Sequence, residues 1–116
     1  MTYDGGMRKS MEFEYRVILT TRAEKDLNEI EEYISEELHA PIAAERFTNA
    51  VESIVNNLTF SPRGHPKVRN DRLAAQGYRW IGIKKNYVAF YTIDEQAKEV
   101  WVERILYGRR DWMRIL

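Results

Sequence analysis

The chain has no cysteine, which excludes disulfide staples, thiolate metal sites and a cysteine nucleophile. Histidine is scarce: His39 and His65 lie 26 positions apart without carboxylate-rich ligand spacing, so no metal site is expected. His39 instead suits a helix C-terminus, where it favours the dipole, and His65 reads as a loop residue with a near-neutral reference pKa. No run of 18 apolar residues exists, which excludes a membrane-spanning helix. The opening MTYDGGMRKS has no apolar core of the secretory type. The metalloprotease HExxH, the phosphate-binding P-loop, GxSxG and GxGxxG are all missing, so no common enzyme motif is present and no cofactor is expected. Internal repeats and low-complexity tracts are absent too.

What remains suits one ordinary globular domain: 116 residues, 44% hydrophobic and 31% charged. Met1–Ser10 is polar and holds Gly5-Gly6, so residues 1–11 read as a disordered tail, an alternative start or a cloning remnant, ahead of a single domain over 12–116. The net charge of zero hides an asymmetry. Glu12 to Phe60 carries eleven acids against four bases, a net of −7, whereas Ser61 to Thr92 carries seven bases against Asp71 alone, a net of +6. Arg104 to Leu116 adds four bases and one acid, +3. A basic half of this kind suits an anionic or acidic partner.

Glu14–Thr20 is β-branched and aromatic, as in a strand. Thr21-Arg22-Ala23-Glu24 predicts a capping box, followed by the helical spacing of Ala23, Leu27, Ile30, Ile34 and Leu38 over an acidic, solvated face. His39-Ala40-Pro41 breaks that helix and starts another, with Pro41 in its first turn. Ala43, Phe47, Ala50, Val51, Ile54 and Leu58 form the second stripe, which Ser61-Pro62 ends. The short link makes an antiparallel helical hairpin. Pro62–Gln76 reads as a long basic loop. Tyr78–Ile83, Tyr87–Ile93 and Val100–Leu106 then read as an antiparallel meander joined at Lys84-Lys85-Asn86 and Asp94–Lys98. Gly108 is placed as a hinge before a last helical segment, Arg109–Leu116. The sum is an α+β fold, β-α-α-β-β-β, with the hairpin packed on a mainly antiparallel sheet and a short C-terminal helix.

Chemistry concentrates near the end of the chain. Arg104, Tyr107, Arg109, Arg110 and Asp111 lie where a strand turns, and Arg79 opens another strand of the meander. Arginine forks hold phosphates or carboxylates, and a tyrosine can stack on a base or share a proton. Metal-free RNA cleavage needs a base, cations and an acid; the cations abound and the base is not obvious. Packing competes with this account: Asp111 pairs with a neighbouring arginine, Trp112 and Leu116 cap the core, and Trp80 and Trp101 are packed inside.

The runs YRVILTTRAEKDLNEIEEYI, PIAAERF, GYRWIGIKKNYVAFYTID and VERILYGRRDW, in this order from Phe13 to Leu116, together resemble the RelE/ParE toxin superfamily. The resemblance implies a cytoplasmic toxin in a hetero-oligomer with an antitoxin protein whose flexible segment wraps it, and no membrane partner. RelE-like members cut messenger RNA on the ribosome, whereas ParE-like members poison DNA gyrase. The long hairpin leans toward ParE. RelE-like nucleases place an arginine after the tyrosine that opens the second meander strand, and here Tyr87 is followed by Val88. Their lysine pair in the preceding strand corresponds to Arg79 and Ile81, and their C-terminal tyrosine falls near Leu116. Arg110 matches a basic RelE position, and Tyr107 stands near a place where some relatives use a histidine. A nuclease would therefore use Arg79, Tyr107 and Arg110. Target or antitoxin contacts would involve Lys67, Arg69, Arg72, Arg79, Lys84, Lys85, Arg104, Arg109 and Arg110. A third possibility is a non-toxic relative that only binds its antitoxin.

Overall fold

The computed structural model describes the backbone of Thr2–Tyr3, residues 14–110, and residues 112–116 without the Met113 side chain. Strand β1 (Thr2–Tyr3) pairs antiparallel with β2 (Arg16–Leu19), placing Thr2 opposite Ile18 and Tyr3 opposite Val17. The rest of the expected tail lies outside the described residues. Helix α1 (Thr21–Glu32) runs into a π-helical turn, Tyr33–Glu37, and α2 (Pro41–Phe60) returns antiparallel to it. A short α3 (Asp71–Ala75) precedes the meander of β3 (Arg79–Ile83), β4 (Tyr87–Asp94) and β5 (Glu99–Tyr107), and α4 (Trp112–Ile115) ends the chain. The sheet order is β1-β2-β5-β4-β3, and among the described strands only β2 and β5 run parallel.

The first helix is capped one residue earlier than the sequence suggests. Thr20, not Thr21, accepts the Ala23 N–H at 3.0 Å. Position decides between the two hydroxyls. Thr20 also sits where β2 stops pairing with β5, so its N–H donates to the Val102 carbonyl and its hydroxyl to the Glu103 carbonyl. One residue thus closes a helix and finishes a sheet edge.

The π turn explains a second departure. A wide turn inserts an extra residue and rotates the downstream residues around the helix axis, so Ile34 stays buried while Leu38 leaves the stripe and is 54% exposed. In α2 the buried face is Ala44, Phe47, Val51, Val55 and Leu58, so Ala43 points to solvent and Ala44 takes its place. Pro41 opens that helix as expected.

The hairpin packs on one sheet face through Val17, Leu19, Ala89, Tyr91, Val100, Val102 and Ile105. A smaller core covers the other face, where Val68, Leu73, Phe90 and Leu106 meet Trp112, Ile115 and Leu116. Phe90 and Tyr91 can serve opposite faces because alternate strand residues point in opposite directions. The register shift after Phe90 leaves Glu103 as the extra residue of a bulge, so β5 buries Val100 and Val102 before it and Ile105 after it on the hairpin side. The expected 62–76 loop is more ordered than its composition suggests: Asn70 accepts the Leu73 N–H at 3.1 Å to start α3, whose Leu73 is fully buried. Gly108 is no hinge. Its N–H donates to the Asn86 carbonyl at 2.7 Å, and an added Cβ would sit 3.3 Å from that oxygen. The last helix begins at Trp112 rather than Arg109.

Candidate functional site

Where β2 ends, α1 takes over the edge of β5. Asp26 lies in the α1 stripe between Ala23 and Leu27, and it is buried. It accepts two hydrogen bonds from Arg104, Nε at 2.7 Å and a terminal nitrogen at 2.9 Å, and a third from the Ile105 N–H at 3.0 Å. Fork and carboxylate meet face to face. The hydrogen bond from Arg104 to Asp26 raises the guanidinium pKa against the opposing effect of burial. Arg104 is therefore a structural cation rather than the contact residue expected from the sequence. Asp26 is the partner that sequence reasoning missed; its place beside Ala23 and Leu27 in the apolar stripe was the available signal.

Beside this pair, α1, the π turn and the end of the sheet enclose a cleft of about 500 Å³ lined by Asp26, Tyr33, Leu38, Tyr87, Tyr107 and Arg110, among others. Tyr87 is the floor, with its ring edge-on to Phe47 at 5.0 Å and to Tyr107 at 5.7 Å. Burial raises the Tyr87 hydroxyl pKa, and Tyr33 and Tyr107 add to the effect, so it stays protonated at neutral pH. The rim is apolar and open: Tyr33 is 50% exposed, Leu38 54% and Tyr107 39%. Arg110 supplies the cation, and its N–H donates to the Tyr107 carbonyl at 3.0 Å. Tyr107 and Arg110 are thus brought together as expected. Tyr33 and Leu38 were not anticipated here, because the helical period places Leu38 inside.

Arg79 is elsewhere. It opens β3 opposite Tyr91, which pairs with Val102, whereas Tyr107 is five residues further along β5. At about 3.3 Å per residue and 4.8 Å per strand, that is roughly 16 Å along the sheet and 10 Å across it. The Arg79 guanidinium donates to the His65 carbonyl at 2.6 Å. His65 in turn contacts the Asn57 side-chain oxygen through Nε2 at 2.7 Å and packs edge-on against Tyr91. Burial pushes the Tyr91 hydroxyl up to about 12, Arg79 opposing the rise, and that hydroxyl donates to the Pro62 carbonyl at 2.6 Å. This cluster fastens the loop to the sheet.

The remaining cations are spread along the surface. Lys67 bridges to Arg79 at the β3 edge, Arg69 and Trp80 border a groove on the second sheet face, and Lys84 borders another beside α2. Arg72, Lys85 and Arg109 are exposed on α3, the β3–β4 turn and the segment before α4. Trp80 is 40% exposed, unlike the packed side chain expected, whereas Trp112 does pack, with its ring 5.3 Å from Phe90. Asp111 lies outside the described residues. Among the described residues no group of three or more metal-ligating side chains occurs and no helix is long and apolar enough to cross a membrane.

A family model described as the ParE toxin of the type II toxin–antitoxin system parDE matches residues 17–112. Among solved structures, the chromosomal ParDE toxin–antitoxin system from P. aeruginosa superimposes with a TM-score of 0.64 at 18% identity, covering 84% of this chain and 98% of that one. The RelBE2 toxin–antitoxin complex from Mycobacterium tuberculosis superimposes at 0.57 with 22% identity, covering 81% and 98% respectively. No curated protein sequence matches significantly.

Proposed function

This chain belongs to the ParE toxin family of type II toxin–antitoxin systems, and on that premise we propose that it arrests growth by binding an intracellular target, DNA gyrase in the first instance, without cutting RNA. The observation that supports binding over cleavage is the separation of Arg79 from Tyr107 and Arg110. In-line attack on a phosphate needs base, cation and acid within hydrogen-bonding reach of one phosphate, and a gap of roughly 16 Å by 10 Å is far beyond that. The cleft instead offers what protein recognition uses: exposed tyrosines, a leucine and one arginine around a concave apolar floor.

A supercoiling assay with purified gyrase tests this. Loss of supercoiling on adding the toxin, with Tyr107→Ala and Arg110→Ala each weaker, is the expected result; unimpaired supercoiling at large toxin excess counts against it. The shared position of Tyr107 and Arg110 favours one second reading, a ribosome-dependent endoribonuclease using those two residues without Arg79. New message 5′ ends after induction, abolished by Tyr107→Phe, would establish it. Growth without arrest would leave a relative that only binds its antitoxin. In each case an antitoxin is the expected partner, and an acidic or amphipathic segment of it complements the basic surface of Lys67, Arg69, Arg72, Lys84, Lys85, Arg109 and Arg110.

A further inference from the structure

The π turn changes which side chains share a face at the tip of the hairpin. In an α-helix, residues five apart point about 140° away from each other, from roughly 100° per residue. Here the Leu38 N–H donates to the Tyr33 carbonyl at 3.1 Å, the i to i+5 bond of a π turn. This wider turn lets Tyr33 and Leu38 line the same cleft. Both stay half exposed, so folding of the described chain does not bury them. A helix interrupted to present an aromatic and an aliphatic side chain in this way is the arrangement of a binding site rather than of a core.

The cleft is aromatic in character. Tyr33, Tyr87 and Tyr107 all line it. The Tyr87 and Tyr107 rings stand 62° apart with centroids at 5.7 Å, two walls that meet at a steep angle. The Tyr33 and Tyr107 hydroxyls both oppose ionisation of Tyr87, so the three phenols converge. Aromatic faces are the negative end of the ring quadrupole, which attracts cations and repels anions. The carboxylates of the cleft come from α1. Asp26 is committed to Arg104, whereas Glu29 is largely exposed, with Lys25 at 4.0 Å in a pair that water screens. Arg110 follows the end of β5, so the two opposite charges stand on different walls. Ile30 adds to Leu38 the aliphatic surface along which a long side chain can lie.

We propose that this cleft is an aromatic cage for one arginine side chain of a partner protein. The guanidinium lies against the Tyr33 and Tyr107 rings above Tyr87 and donates to Glu29, while its stem runs along Ile30 and Leu38. Arginine suits the cage better than lysine, because a planar fork stacks on a ring face while its edge donates to a carboxylate, and because it gives up hydration more readily than an ammonium. The inference rests on the target-binding reading only for which protein supplies the arginine, the target itself; the cage is independent of how growth is arrested.

The probe is N-acetyl-arginine methylamide, added to the full chain while the ring-proton shifts of the tyrosines are followed. A dissociation constant of about 1 mM is expected for a ligand of this size, with shifts at Tyr33, Tyr87 and Tyr107. The citrulline counterpart has the same shape without the charge and should bind about tenfold more weakly or worse, and the lysine counterpart should also bind more weakly than arginine. Tyr33→Leu should weaken the probe about fivefold, whereas Tyr33→Phe, which keeps the ring, should match the unsubstituted chain. No binding at about 30 mM probe, equal binding of citrulline or lysine, or a folded Tyr33→Leu that binds as well as Tyr33→Phe would each overturn the proposal. The comparison of probes needs no variant, so a misfolded Tyr33→Leu does not protect it. A supercoiling assay on the same protein keeps the two readings apart. Arginine binding without gyrase inhibition removes gyrase as the target and leaves the cage; gyrase inhibition without arginine binding removes the cage and leaves the target reading.

Discussion

Removing the Asp26 carboxylate should be among the most damaging single changes available to this protein. Asp26→Ala leaves the Arg104 guanidinium, whose side chain is only 13% exposed, without its partner and strips the Ile105 N–H of its acceptor. Orphaning one half of a buried ion pair costs about 3–5 kcal/mol. The stability of a domain of this size is about 6–17 kcal/mol, from roughly 0.05–0.15 per residue, so the loss is a large fraction of the whole. With a urea slope near 1–3 kcal/mol/M, the midpoint should fall by roughly 2 M. Urea titration followed by far-ultraviolet circular dichroism measures it. Replacing both partners, as in Asp26→Leu with Arg104→Met, should recover most of the loss, because an apolar pair carries no uncompensated charge. A loss below about 1 kcal/mol for Asp26→Ala, the range of exposed pairs, would refute the claim that this pair is desolvated and ties α1 to β5.

Other consequences can be checked alongside. Thr20→Ala should cost about 1–2 kcal/mol by losing a helix cap and a bond to the β5 edge, while Thr21→Ala should be near neutral; the same urea titration separates the two hydroxyls. Tyr91 has a folded-state pKa of about 12, above the ordinary value near 10. The folded state therefore holds the proton more tightly, and the stability this contributes is complete below pH ~10 and lost as pH rises from ~10 to ~12. Tyr91→Phe should flatten that alkaline decline, and an identical decline in both proteins would contradict the assignment. Arg110→Glu should weaken binding to an acidic antitoxin measurably in a titration without unfolding the toxin, whereas Arg104→Glu should unfold it.

The elements are legible in the sequence because their signals are local. The two apolar stripes, Pro41 and the turns at Lys84-Lys85-Asn86 and Asp94–Lys98 depend on neighbours a few residues away. What stays hidden is set by long-range register. Asp26 and Arg104 are 78 positions apart, and only the parallel pairing of β2 with β5 brings α1 over that carbonyl edge. Arg79 and Tyr107 look like members of one cluster because both lie on the meander, yet strand register puts them at opposite ends. Leu38 reads as core only if the period of an α-helix is carried through Tyr33–Glu37, where the structure winds a π turn. Trp80 reads as packed because of its size, but it faces the groove at an outermost strand, where nothing among the described residues covers it fully.

Central to the account is a toxin that binds and does not cut. Its most direct test is to induce the chain without a partner and measure plasmid supercoiling and message integrity in the same cells. The account predicts relaxed plasmids, a DNA damage response and intact messages. Rapid message cleavage with supercoiling unchanged would contradict it and return Tyr107 and Arg110 to a catalytic role.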